Sequence, residues 1–284
     1  MSGARGGTPV RDALDGARTA IAAAGCETPR LDAELLLADV LGVSRERLLT
    51  DRGLTVAGPA VRAFQAAVHR RAVEREPVAY ILGRRAFRNL WLDVDPRALI
   101  PRPETELLVE VGLELAPGMA VLDLGTGSGA VALALKDERP DLDLAGSEAS
   151  EAALELAREN GRRLRLDVAW LRADLLEGVP DRFDVVLANL PYVADGERAA
   201  LAPEILRHEP AQALFAGVDG LQVIRALLAQ LARRPRVGRV ALEVGAGQAA
   251  AVVELAGRAG FGSSEVRRDL AGVERVVLAE RGAS

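Results

Sequence analysis

The chain has 284 residues, 41 acidic against 36 basic side chains and a formal net charge of −5, a length that favours two domains and an acidic balance that argues against wrapping bare nucleic acid. Its 49% hydrophobic content is enough for a sizeable core, yet no uncharged run reaches the ~20 residues of a membrane span. One cysteine, Cys26, excludes an intrachain disulfide, and the glycine-rich first nine residues lack an apolar leader, so the expected address is cytoplasmic.

Residues 10–82 have a helical pattern. Leu31, Leu35, Leu36, Leu37, Val40 and Leu41 recur near helix spacing, with Asp32 and Glu34 in the first turn. Gly42, Gly53, Gly58 and Pro59 divide the block into four or five short helices, with no strand expected. From Gly83 to Pro103 the period changes to two, as Leu90, Leu92 and Val94 alternate with polar residues. A β-hairpin or extended connector follows, and Pro96, Pro101 and Pro103 keep the next segment extended. From Thr105 onward strands and helices alternate. The strands are expected at 120–124, 142–147, 168–171, 183–189, 237–244, 265–268 and 272–279. The last two are close enough to pair antiparallel, whereas helices between the earlier ones make those parallel.

Three strand ends carry chemistry. After the first, Gly125, Thr126, Gly127, Ser128 and Gly129 make a tight turn into a helix, where glycines admit positive φ and close ligand approach and the helix start offers free N–H groups. The second ends in Glu148, at the spacing where a carboxylate accepts from both hydroxyls of a ribose. The third is followed by Asp174, placed to accept from an adenine amino group. Singly, these are turn glycines, a helix-start carboxylate beside the cap candidate Ser150, and a solvated loop acid. Together they lie where open α/β sheets bind ligands. A fourth strand delivers Asn189, Leu190, Pro191 and Tyr192, a set suited to holding a planar amide or amino group, although Asn and Pro also make ordinary turns. His69 and His208 lie in different blocks and no Cys/His cluster has ligand spacing, so no metal site is expected. Arg84, Arg85, Arg88 and the cluster Arg233, Arg234, Arg236 are expected on solvated faces.

With these residues the chain resembles the glutamine methyltransferases that modify peptide-chain release factors, a branch of the class I S-adenosylmethionine-dependent methyltransferases. The similarity runs through residues 30–36, 76–83 and 99–106, the glycine loop, the 189–192 motif and His208, Glu209 and Pro210. The 101–106 segment, Pro-Arg-Pro-Glu-Thr-Glu, is its most discriminating part, because the related ribosomal-protein enzymes diverge from it after the arginine. The resemblance implies a Rossmann-like α/β fold: a seven-stranded, mostly parallel sheet in residues 105–284, an N-terminal helical substrate-recognition domain in 1–82 and a hairpin connector in 83–104. It further implies cofactor contacts at Gly125, Thr126, Gly127, Gly129, Glu148, Asp174 and Asn189. Substrate contacts would come from Asn189, Leu190, Pro191 and Tyr192, with Arg102 and Pro103 at the mouth and Glu209 and Pro210 supporting the substrate loop. The expected cofactor is S-adenosylmethionine and the expected partner a release factor in translation termination. A monomer without nucleic-acid or membrane contact is expected.

One residue departs from the family motif Asn-Pro-Pro-Tyr. Leu190 replaces the first proline, which keeps the main-chain carbonyl but removes the restriction a proline places on Asn189. Two alternatives stand beside the main reading: an adenine-type amino methyltransferase acting on nucleic acid, which shares the chemistry, and, because of Leu190, a cofactor-binding homologue with reduced or lost turnover. A nicotinamide oxidoreductase is a weaker third, since no hydride-transfer set is apparent.

Overall fold

The computed structural model describes residues 7–282, so the reading of the chain start as leaderless falls, for residues 1–6, outside the described residues. Two compact units divide the chain at Gly83 and Arg84, with Ala202–His208 grouped with the first unit.

The first unit contains β1 (Thr8–Pro9), α1 (Val10–Ala23), α2 (Pro29–Leu41), α3 (Arg45–Thr50), β2 (Thr55–Val56), α4 (Pro59–Ala72) and α5 (Val78–Leu82). Its starts and stops are local: Pro29 and Pro59 occupy first turns, where a missing N–H costs nothing. Ser44 Oγ caps α3 by accepting from the Arg47 amide, and Gly42 ends α2 in the left-handed region. Ile21, Leu36, Leu37 and Phe64 form its core. The expectation of no strand is corrected, because β1 pairs antiparallel with β2. Two-residue strands are too short to leave a period-two pattern.

Asp32 and Glu34 are more than helix-start acids, being 4% and 2% exposed. Glu34 accepts from Arg30 at 2.8 Å and Arg45 at 2.7 Å. Arg71 donates to Asp32 and to Glu204, both at 2.6 Å, and Arg75 adds a second cation on Glu204 at 2.8 Å. Cys26 is buried nearby, and burial pushes its thiol up from the ordinary value, which keeps it protonated and unreactive.

The second unit opens with the hairpin β3 (Arg84–Phe87) and β4 (Leu90–Asp93), then α6 (Glu106–Leu113). There follow β5 (Ala120–Leu124), α7 (Ala130–Glu138), β6 (Asp143–Glu148), α8 (Glu151–Leu164), β7 (Ala169–Arg172) and β8 (Val185–Ala188). After α9 (Pro203–His208), which belongs to the first unit, come α10 (Gln222–Leu231), β9 (Arg239–Glu243), α11 (Ala249–Arg258), β10 (Ser263–Arg268) and β11 (Glu274–Glu280). Seven strands form one sheet in the order β10-β11-β9-β8-β5-β6-β7.

The five strands from β9 to β7 run parallel, and β11 is antiparallel to both neighbours. Helices pack on the parallel part, which is why β5 and β8 are buried along their whole length rather than alternating, β8 wholly apolar and β5 apolar except for Asp123. The link between β10 and β11 is too short for a helical crossover, so those two pair as a hairpin. Strand order reverses at β5, which lies between β6 and β8, and this is where a doubly wound sheet leaves a crevice at its carboxyl edge. Among the described residues no helix is long and apolar enough to cross a membrane.

The hairpin is tied to the core by one side chain. Asn160 of α8, fully buried, accepts from the Asp93 amide at 2.8 Å and donates to the carbonyls of Asp93 and Ser128, both at 3.0 Å. Hairpin, helix and glycine loop thus meet on one amide. The basic residues expected on solvated faces are partly structural: Arg88 pairs with Glu138, Arg234 donates to the Leu176 and Val179 carbonyls, and Arg236 donates to that of Arg182.

Candidate functional site

A cavity of about 300 Å³ opens at the carboxyl ends of β5, β6 and β8. Its floor is the turn after β5. Gly125, Gly127 and Gly129 all have positive φ, which a β-branched residue does not tolerate. A Cβ on Gly127 would meet nothing within 4 Å, so this glycine keeps backbone open beside the cavity. Gly129 has a different reason: its Cβ would collide with Leu133, Trp170 and Ala157, so it lets α7 approach α8 and β7, and it is not on the cavity wall.

Thr126 is fixed from below. Its hydroxyl donates to Asp123 at 2.5 Å, and the Ala132 amide donates to the same carboxyl oxygen at 3.1 Å. Asp123 is 2% exposed, and burial pushes it up to about 6 against the pull of those two donors. Sequence reasoning passed over Asp123, which lines the cavity. Nothing in a strand-internal acid marks it as different from a buried salt-bridge partner.

Glu148 combines two roles that the sequence set against each other. Its Oε2 accepts from the Gly127 amide and its Oε1 from the Ser150 amide, each at 3.0 Å. The carboxylate is thereby a helix-start acid and a rigid cavity wall at once, with further lone pairs on both oxygens available to a ligand. Ser150 is the true cap of α8, accepting from the Ala153 amide. Asp174 also reaches the cavity and is exposed.

The segment after β8 closes the other side. Asn189, Leu190 and Pro191 line the cavity, whereas Tyr192 does not. Asn189 Nδ2 donates to Thr105 Oγ1 at 3.0 Å. Among the described residues nothing donates to Asn189 Oδ1 or to the Leu190 carbonyl. Leu190 is 5% exposed, within the main core cluster, and its Cδ2 lies 3.2 Å from where a Cβ on Gly125 would stand. Its side chain therefore fits because residue 125 is glycine.

Further along, Tyr192 O accepts from Gln248 at 2.9 Å, and Val193 exchanges hydrogen bonds with Leu214 and Ala216. Backbone rigidity that a proline would have supplied at 190 comes here from burial and pairing. Burial, together with the Glu243 charge, pushes the Tyr192 phenol up to about 12, so it stays neutral.

The mouth is built by a second acid. Glu209, 6% exposed, accepts from the Ile100 amide at 3.3 Å and from Arg102 at 2.6 Å. Arg102 and Pro210 line the cavity; Pro103 starts the 3₁₀ turn that carries Thr105 and lies outside the lining. His208 belongs to the first unit, with Nε2 2.9 Å from the Glu74 carbonyl, and His69 is exposed on α4.

The description "PrmC N-terminal domain" matches residues 12–83, and "Methyltransferase small domain" matches 103–226. A release factor glutamine methyltransferase of Rhodospirillum rubrum is 40% identical over 276 residues, covering 95% of this chain and 85% of that protein. Proteins of the same name from Deinococcus radiodurans (38% identical) and Mycolicibacterium smegmatis (42%) each match over 96% of this chain and 98% of their own length. Among solved structures, a methyltransferase from Pyrococcus furiosus superimposes with a TM-score of 0.52 at 19% identity, covering 68% of this chain and 89% of that one. The hMettl16 catalytic domain does so with 0.57 at 16%, covering 79% and 82%. At such identities these structures speak to the fold alone. Matched by its relatives over nearly its whole length, the chain belongs to the release factor glutamine methyltransferase family.

Proposed function

We propose that the protein transfers a methyl group from S-adenosylmethionine to the side-chain amide nitrogen of a glutamine in a peptide chain release factor. The observation that carries this reading is a pair of unengaged acceptors, Asn189 Oδ1 and the Leu190 carbonyl, on the wall of the cavity that Glu148 also lines. A primary amide has two N–H donors, and two acceptors on one wall match them.

The donor set fits the cofactor. Glu148 is held by two backbone amides and presents its outer lone pairs to ribose hydroxyls, and the open backbone at Gly127 gives room for the chain beside it. When bound, S-adenosylmethionine supplies an electrophilic methyl on a sulfonium. The protein's own residues have a different task. An amide nitrogen is a poor nucleophile because its lone pair is delocalised into the carbonyl. Asn189 and Leu190 accept from its two hydrogens, orient it towards the methyl carbon and stabilise positive charge as it develops. Alignment of this kind contributes up to ~7–11 kcal/mol in favourable cases.

The helical unit is read as the part that recognises the release factor, acting with a monomeric enzyme that has no nucleic-acid partner. The seating of Leu190 in the core and the pinned backbone after it support turnover over a cofactor-binding homologue. The test uses purified protein, labelled S-adenosylmethionine and unmodified release factor, with the methyl group located by mass spectrometry. Label on a glutamine amide is expected, and Asn189→Ala is expected to lower turnover tenfold to a hundredfold, the ~1–3 kcal/mol of an unpaired N–H, with cofactor affinity little changed. Wild-type methylation by Asn189→Ala would remove the amide clamp.

A further inference from the structure

Gln248, at the start of α11, grips the segment that leaves β8. Its Oε1 accepts from the Gly245 amide and its Nε2 donates to the Tyr192 carbonyl, both at 2.9 Å. The partners settle which end of the side-chain amide faces which, because an N–H requires the oxygen and a carbonyl requires the NH₂. Among the described residues this is the one hydrogen bond made by the backbone of residues 190–192. Gly220, buried and at φ +70°, lies against it: a Cβ there would collide with the Tyr192 carbonyl oxygen and stand 2.8 Å from Gln248 Nε2. A Cβ on Gly245 would stand 3.0 Å from Gln248 Oε1 and 3.2 Å from the Tyr192 ring. Two glycine backbones thus close around one side-chain amide.

The Leu190 carbonyl belongs to a stiff piece of chain. Pro191 fixes its own φ at about −65° and confines Leu190 before it to extended backbone, while the Leu190 side chain is packed in the core. The soft torsions that remain lie between Pro191 and Tyr192. Beyond them Val193 is paired with Leu214 and Ala216, and between the two anchors Gln248 holds the Tyr192 carbonyl. Released from Gln248, the Pro191–Tyr192 peptide rocks, and each swing tilts the Leu190 carbonyl. No proline at 190 restrains Asn189, so the restraint on this wall comes from its far end.

We propose that Gln248 is a positioning residue for methyl transfer, which by bridging Gly245 and Tyr192 fixes the direction in which the Leu190 carbonyl meets the substrate amide. The proposal rests on the reading of Asn189 Oδ1 and the Leu190 carbonyl as acceptors of the glutamine N–H groups. Gln248 does not line the cavity, so its loss acts on orientation and leaves the binding surfaces in place. A misdirected dipole weakens the transition state, where charge develops, more than the bound ground state. The two bonds of Gln248 also have different uses: the one to Gly245 resembles the reach-back bond of a capping box and serves the start of α11, and the one to Tyr192 serves the reaction. Gln248→Glu separates them, since it keeps an acceptor for Gly245 and sets a second acceptor against the Tyr192 carbonyl. Gln248→Met keeps the length and removes both.

The experiment measures kcat, KM for unmodified release factor and calorimetric S-adenosylmethionine affinity in wild type, Gln248→Glu, Gln248→Met and Asn189→Ala. Both Gln248 variants are expected to lose about tenfold in kcat, with KM and cofactor affinity within about twofold of wild type. A Gln248 that only starts a helix predicts wild-type kcat in Gln248→Glu. That result, a loss in Gln248→Glu carried by KM, or one matched by an equal loss of cofactor affinity, overturns the proposal. If Gln248→Met fails to fold, shown by lost cofactor binding, Gln248→Glu decides. Impaired Asn189→Ala beside wild-type kcat in both Gln248 variants rejects the positioning role alone, whereas fully active Asn189→Ala rejects the amide clamp beneath it.

Discussion

At the scale of single residues, Leu190 shows how a motif can change while its chemistry stays. The side chain fills core space next to Gly125, so shortening it leaves a void that the surrounding strands close only in part. Leu190→Ala is expected to cost about 2–4 kcal/mol, read as a lower denaturant midpoint. Leu190→Pro, which restores the family residue, should also lower that midpoint because the pocket is built around leucine. A proline variant as stable as wild type would show that the cavity relaxes. Glu243, buried at the end of β9, has a signature in stability. Its folded-state value, about 7, is above the ordinary 4.5, so the folded protein holds the proton longer than the unfolded chain. Unfolding then releases a proton between those values, and stability falls as pH rises from about 4.5 to about 7. Glu243→Gln removes this loss, so its advantage over wild type should grow across that window by at most about 3 kcal/mol. Urea titrations at pH 5 and 8 measure it, and equal pH dependence in the two proteins would contradict a buried, proton-retaining Glu243. Asp123, also raised by burial, is present in both and cancels.

At the scale of elements, the parts that sequence disclosed were those written in consecutive residues. The glycine turn, the apolar run of β8 and the period-two stretch of the hairpin are local signals, and all three elements stand where expected. Boundaries moved by a residue or two: the strand expected at 183–189 is Val185–Ala188, since Phe183 belongs to the core but not to the ladder. What could not be read is pairing at a distance. Asn189 meets Thr105 across 84 residues, and Asn160 meets Asp93 across 67. An asparagine in a charged helix has no visible mark of being an anchor, and neither does an acid inside a strand. Asn160→Ala is the element-scale test: it strips partners from the half-buried amide and carbonyl of Asp93 and from the Ser128 carbonyl, and should destabilise the protein by about 1–3 kcal/mol. It should also weaken cofactor affinity through the Ser128 end of the loop. Unchanged calorimetric affinity with reduced stability would confine Asn160 to holding the hairpin.

At the scale of the whole molecule, the dividing line falls at Gly83 and Arg84, before the hairpin. The cavity draws lining from residues 97–102 as well as from the sheet. A fragment starting at residue 84 is therefore expected to keep cofactor affinity within about threefold of the full chain, and one starting at 105 to lose it. Equal calorimetric affinity in both fragments would show that the 97–102 wall is dispensable.

The buried charges of the first unit have a consequence for its modularity. Because Ala202–His208 sits with residues 7–83, the polypeptide passes between the units three times, at 83/84, 201/202 and 208/209. The helical unit is thus not encoded in one continuous segment. A graft of residues 7–83 from a relative brings its own counterparts of Arg71 and Arg75 but inherits Glu204 from the host. Such a chimera will succeed only where those three side chains still match. A protease that nicks the chain once after Gly83 should leave a protein that still migrates as one body until denaturant breaks the Arg71–Glu204 network.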